Sequence, residues 1–200
     1  MKTLILSICF FTLTSFLTLH AQWNQLKSPL SGYIRSFVVS GSTFYVGTER
    51  GGMYGSLNEG ERWVSVNLEL SSKSIYSFLD NGSVLLVGTG SGLYSSSDNG
   101  VTLTQVGSEL SNKTISSLGN LNGNLFAGTR GNGVYRSKDN GFTWQESNIG
   151  LKNLNVRCIE VKDSLLFAGT DGGVFRSIDK GDNWVEVNNG LSFQYVYAMV

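Results

Sequence analysis

The dipeptide Gly-Thr occurs at residues 47, 88, 128 and 169, with spacings of 41, 40 and 41 residues. A fixed period of this length marks an array of supersecondary units that bury their apolar faces against one another. Each Gly-Thr closes an apolar run: Phe44-Tyr45-Val46, Leu85-Leu86-Val87, Leu125-Phe126-Ala127 and Leu166-Phe167-Ala168. A glycine-containing turn and a second short run follow, ending in Met53-Tyr54, Leu93-Tyr94, Val134-Tyr135 or Val174-Phe175. Runs that are apolar at consecutive positions suit strands packed on both faces.

A second marker follows each pair of runs: Ser56 to Trp63, Ser96 to Leu103, Ser137 to Trp144 and Ser177 to Trp184. Its pattern is Ser-x-Asp-x-Gly-x-Thr-Trp, with Asn58 for Asp in the first copy, Leu103 for Trp in the second and Asn183 for Thr in the fourth. The side chains of Asn58, Asp98, Asp139 and Asp179 can accept from backbone N–H groups just ahead, the glycine supplies a positive φ, and Trp63, Trp144 and Trp184 begin the next strand and bury their rings. Seven residues after these Trp/Leu positions stands a leucine, as at Leu70, Leu110, Leu151 and Leu191, and a further apolar segment opens five residues later. Each repeat thus holds four strands, A (Ile75 to Leu79 in the second), B (Val84 to Thr89), C (Gly92 to Ser96) and D (from Trp63 or its equivalent). Four strands per repeat, with Gly and Asn/Asp turns and no helical periodicity, predict an all-β fold of four-stranded antiparallel blades, a β-propeller. Kelch repeats are longer, and WD repeats end in a Trp-Asp that is missing here.

The second marker resembles the Asp-box of bacterial neuraminidase (BNR) repeats, most closely at Ser137-Lys138-Asp139-Asn140-Gly141-Phe142-Thr143-Trp144. Similar cadences occur in xyloglucanase-type glycoside hydrolases, photosystem assembly factors, sortilin-type receptors and the sensor propellers of two-component regulators. This resemblance implies the fold strongly and the function weakly, because one propeller scaffold hosts many unrelated sites.

Residues 1–21 read as a signal peptide: Lys2, an apolar core from Leu4 to Leu19, and cleavage after Ala21. The expected location is therefore secreted, periplasmic or cell-surface, with no membrane span once the signal is removed. None of the 25 glycines lies before residue 22, and cleavage would remove Cys9 and His20. Cys158 would then be the lone cysteine, a small buried side chain, and a chain without histidine has neither Ser-His-Asp catalysis nor a His-ligated zinc. Lys+Arg and Asp+Glu both number 15, which excludes the basic stripe of a nucleic-acid binder.

Residues 22–200 form the propeller segment. Trp23 aligns with the D positions and Val196 to Val200 with strand A, giving about four complete blades plus a lone N-terminal D strand and a lone C-terminal A strand. Two expectations follow: a fragment of a larger propeller, which is favoured, or closure by self-association through open edges, since exposed strand edges are an aggregation liability.

Ligand sites of such a fold gather on the B-to-C and D-to-A loops, opposite the Asp-boxes. Candidate ligand-binding residues are Glu49, Arg50, Arg130, Asn132 and Asp171 on B-to-C turns, with Ser91, Gly131, Lys73, Lys113 and Asn153 nearby. Arg50 and Arg130 could clamp a carboxylate or sugar acid bidentately. Sialidase chemistry is not expected, because Gly32-Tyr33-Ile34-Arg35-Ser36 stands where the Phe/Tyr-Arg-Ile-Pro motif would be. Asp98-Asn99-Gly100 and Asp139-Asn140-Gly141 lack the later ligands of a calcium loop. No catalytic residue, metal or cofactor is assigned. The expected role is a binding or scaffolding module for a protein or carbohydrate ligand. The alternative is a glycoside hydrolase whose catalytic residues lie beyond residue 200.

Overall fold

A computed structural model describes residues 32–66, 70–192 and 194–200. The expected signal peptide and the D strand at Trp23 lie outside these residues. Among the described residues, sixteen strands form four antiparallel sheets, each with its strands in sequence order. The first sheet is β1 (Ile34–Ser40), β2 (Thr43–Thr48), β3 (Gly52–Ser56) and β4 (Val64–Ser65). The second is β5 (Ile75–Asp80), β6 (Leu85–Thr89), β7 (Gly92–Ser96) and β8 (Thr104–Val106). The third is β9 (Ile115–Leu121), β10 (Asn124–Thr129), β11 (Gly133–Ser137) and β12 (Gln145–Glu146). The fourth is β13 (Val156–Lys162), β14 (Leu165–Thr170), β15 (Gly173–Ser177) and β16 (Val185–Glu186). One 3₁₀ turn, Ser108–Leu110, is the helical element among the described residues.

The Gly-Thr dipeptide works within and between blades. Its threonine is fully buried at 48, 89, 129 and 170. Each hydroxyl donates to the carbonyl of the glycine opening the next strand, at 2.9, 2.8, 2.7 and 2.9 Å, and so closes the B–C hairpin. Its glycine has no side chain where the first residue of the next A segment arrives. A Cβ at Gly47 would lie 2.6 Å from Ile75 Cγ2, at Gly88 2.9 Å from Ile115 Cγ2, at Gly128 2.7 Å from Val156 Cγ1 and at Gly169 2.7 Å from Val196 Cγ1. The innermost strands therefore stack in the order β1, β5, β9, β13 around one axis. Three apolar clusters fill the spaces between successive blades, one joining Tyr45 and Met53 to Leu85 and Leu103, the next Leu86 and Leu93 to Leu125 and Trp144, the third Phe126 and Val134 to Leu166 and Trp184.

Three details differ from the sequence expectation. The D strands begin one residue after the Trp/Leu position and are only two or three residues long. Trp144 and Trp184 are buried, whereas Trp63 is half-buried, because the two buried rings pack on a preceding blade and none precedes Trp63 among the described residues. Residues 196–200 form no strand. Val196 docks on Gly169 and its N–H donates to the Thr170 carbonyl at 3.0 Å, but an A strand takes its ladder from a B strand of its own sheet, and no such strand lies beside it among the described residues.

At each C–D turn a buried serine does as much as the acid. Ser96 Oγ donates to Asp98 Oδ1 at 2.7 Å and accepts the Gly100 N–H at 2.7 Å. Asp98 also accepts from the Thr102 N–H and hydroxyl at 2.9 and 2.7 Å. The same set recurs at Ser137/Asp139 and Ser177/Asp179, with Asn183 Nδ2 replacing the hydroxyl in the fourth copy. The residue before the glycine is left-handed as well, at φ 54° for Asn99 and 57° for Asn140, where asparagine is readily accommodated.

The N–H of Thr102 above all, then its hydroxyl, hold Asp98 down to about 2, and the hydroxyl and N–H of Thr143 do the same for Asp139. A carboxyl depressed below its unfolded value of about 3.9 stabilises the native state above that pH, and the contribution is lost as pH falls through the native value. Denaturation midpoints are therefore expected to drop between about pH 4 and pH 2. The Asp98→Asn, Asp139→Asn double variant should flatten that drop, because the amide at Asn58 already accepts the Arg62 N–H at 2.9 Å. An unchanged pH slope in the variant would refute this assignment.

Candidate functional site

The A-strand starts and B-strand ends meet at one end of the blade axis. Glu49 N–H donates to the Tyr33 carbonyl at 2.8 Å, Gly90 N–H to Ser74 at 3.0 Å, Arg130 N–H to Thr114 at 3.1 Å and Asp171 N–H to Asn155 at 3.2 Å. The D–A loops reach the same end, where the Lys73, Leu154 and Gln194 carbonyls accept from Gly52, Gly133 and Gly173 at 2.7, 2.8 and 2.7 Å. Equivalent A-strand positions are Arg35, Tyr76, Ser116, Arg157 and Tyr197, and equivalent B-strand ends are Glu49, Gly90, Arg130 and Asp171. Four blades thus contribute to one axial mouth.

Its charges are interlocked. Arg35 Nε donates to Glu49 Oε2 at 3.0 Å and its Nη2 also contacts that oxygen. Arg157 binds both carboxylate oxygens of Asp171, with Nη2 at 3.1 Å from Oδ2, and Asn155 Nδ2 adds a third contact. Arg35 holds Glu49 below the ordinary carboxylate range, and Arg157 does so for Asp171 with help from Asn155. The Arg130 guanidinium lies 4.7 Å from the centroid of the Tyr76 ring, and that of Arg157 lies 4.7 Å from the Tyr197 ring.

The five ligand-site candidates fall into different circumstances. Glu49 and Asp171 are half-buried and ion-paired, not solvated turn residues. Arg130 is exposed, and the charges of both Arg50 and Arg130 act on Glu49, while that of Arg130 also acts on Asp171. Arg50 is an exposed turn residue at φ 68°. Asn132 is exposed, and its carbonyl accepts from Asn148 Nδ2 at 3.4 Å. Sequence reasoning passed over Arg157 and Tyr76, which lie inside A strands; their shared offset from Ile75 and Val156 was the available signal. Among the described residues no three His, Cys, Asp or Glu side chains cluster as metal ligands, and no helix is long and apolar enough to cross a membrane. Burial raises the Cys158 thiol, which is half-buried.

No family model matches the chain, and no curated protein sequence does. Solved structures do match. An ancestral GH74 enzyme is 22% identical with a TM-score of 0.66, over 82% of this chain and 26% of its own. The extracellular domain of a hybrid two component system from B. thetaiotaomicron is 16% identical with a TM-score of 0.68, over 86% of this chain and 25% of its own. The GH74 xyloglucanase from Xanthomonas campestris is 16% identical with a TM-score of 0.64, over 86% and 32%. The fold is a β-propeller. The chain spans about a quarter of the length of the first two of these proteins and about a third of the xyloglucanase. At these identities the likeness carries the propeller architecture alone.

Proposed function

We propose that residues 22–200 act as an exported binding or scaffolding module that recognises a protein or glycan at the axial mouth. The observation that carries this reading is the pairing of Glu49 with Arg35 and of Asp171 with Arg157. A general acid must hold a proton near its working pH, and two carboxyls each held ionised by a paired arginine are unsuited to that role. The same pairs make a rigid polar rim around the exposed Arg130, which is what a recognition surface requires. Export is supported by the apolar stretch from Leu4 to Leu19 and by the similarity to an extracellular domain.

A glycoside hydrolase with catalytic residues outside this stretch is the second reading, favoured by the similarity to GH74 enzymes several times the length of the matched region. A glycan array and a hydrolysis screen on the full-length product separate the two. Binding without turnover is the expected result. Turnover that disappears on replacing a carboxylate of the axial face would overturn the binding reading.

A further inference from the structure

Arg130 is placed differently from the two ion-paired arginines of the mouth. Arg35 and Arg157 each face a carboxylate, whereas no carboxylate among the described residues lies within ion-pair distance of Arg130. The Cζ of its guanidinium lies over the Tyr76 ring, 4.7 Å from the centroid. A guanidinium carries five N–H donors, and a contact with an aromatic ring takes the place of no carboxylate, so a bidentate partner can still bind it. The local balance points the same way. On the A-strand starts and B–C turns, Arg35, Arg50, Arg130 and Arg157 stand against Glu49 and Asp171, four cations to two anions in a chain whose acidic and basic residues are equal in number.

Aromatic surface surrounds that surplus. Tyr33, Tyr195 and Tyr197 are 81%, 63% and 68% exposed. Tyr33 adjoins Glu49 through its carbonyl, and Arg157 stacks on Tyr197. Exposed tyrosine rings offer an apolar face with a polar tip, suited to the C–H face and hydroxyls of a pyranose. An extended peptide would need unpaired backbone groups at the rim, and the turn N–H groups of Gly52, Gly133 and Gly173 are already taken by the D–A loop carbonyls.

Resting on the axial-binding reading, we infer that the mouth takes an acidic oligosaccharide, with a uronate carboxylate on the edge of Arg130 and the adjoining sugar rings on the exposed tyrosines. Calorimetry on the full chain tests it with oligogalacturonate and its carboxyl-reduced counterpart, against wild type, Arg130→Gln, Arg130→Lys and Arg176→Gln, the last being an exposed position on β15. Oligogalacturonate should bind, more weakly as salt is raised, and carboxyl reduction or Arg130→Gln should each weaken it about tenfold or more. Lysine at 130 should rescue part of the loss, and Arg176→Gln should change nothing. Thermal unfolding of Arg130→Gln at the wild-type temperature would confirm that the loss is local. Equal binding of the acidic and reduced glycans, or an Arg130→Gln variant that binds like wild type, overturns the acidic-ligand inference while leaving axial glycan binding in place. Binding of polyglutamate with no binding of oligogalacturonate overturns the carbohydrate assignment. Glycan binding abolished by changes at the C–D turns, and untouched by Arg130→Gln and Tyr197→Ala, overturns both readings.

Discussion

Replacing Gly88 with valine is expected to destabilise the propeller by about 3 kcal/mol or more, and Gly88→Ala by about 1–3 kcal/mol. Gly88 is the fourth of the five residues of β6, all of them buried. Any Cβ there would run into Ser77 Oγ and lie 2.9 Å from both Cγ2 and the carbonyl oxygen of Ile115. Ser77 cannot swing clear without cost, because its hydroxyl donates to that same Ile115 carbonyl at 3.2 Å. Ile115 opens the next blade, so the added atoms push two blades apart and do more than crowd one strand. Gly123, in the turn between β9 and β10, is the control, since a Cβ there meets nothing within 4 Å. Its φ of 82° still penalises alanine, so Gly123→Asn is the comparison with the least strain. Chemical denaturation of the three variants measures the effect. A Gly88→Ala midpoint equal to that of wild type would show that the blades are not held by the contact described.

The sequence made the blades legible because every repeat breaks the same local rules in the same place. Gly-Thr after an apolar run, and a serine two residues before an Asp or Asn, are conspicuous once they recur, and each has a short-range cause: a hydroxyl closing a hairpin or a serine capping a glycine N–H. What stayed hidden depends on partners far apart in the chain. The ion-pairing of Glu49 and Asp171 comes from Arg35 and Arg157, 14 residues away in each case. The contact of Arg130 with Tyr76 joins two neighbouring blades, and periodicity assigns no side-chain direction to either. Trp63 shows the same limit, since its place in the repeat matches that of Trp144 while its burial depends on what packs behind it.

Trp184→Ala should cost about 3–5 kcal/mol, the range for emptying a buried tryptophan site. The ring is 3% exposed and packs with Leu121, Phe126, Val134, Leu151 and Phe175. Its indole N–H donates to the Ser147 carbonyl at 2.7 Å, and its backbone N–H donates to the Ile149 carbonyl at 2.8 Å, so one residue of the fourth blade is fastened twice to the third. Alanine keeps the backbone bond and leaves the Ser147 carbonyl without its indole partner beside a cavity. Trp184→Leu should lose less, because Leu103 occupies the matching position between the first two blades and is 6% exposed. Trp63→Ala should lose least, as that residue is only partly buried. The way stability is lost is as informative as its size. Contacts in a repeat array run mainly between neighbours, so weakening one interface lets the blade beyond it open by itself. Hydrogen exchange of Trp184→Ala should therefore show β14 and β15 losing protection well before β6 and β7. Uniform loss of protection across all four sheets would mean that the blades unfold as a single unit and that the interface energy is shared around the whole array.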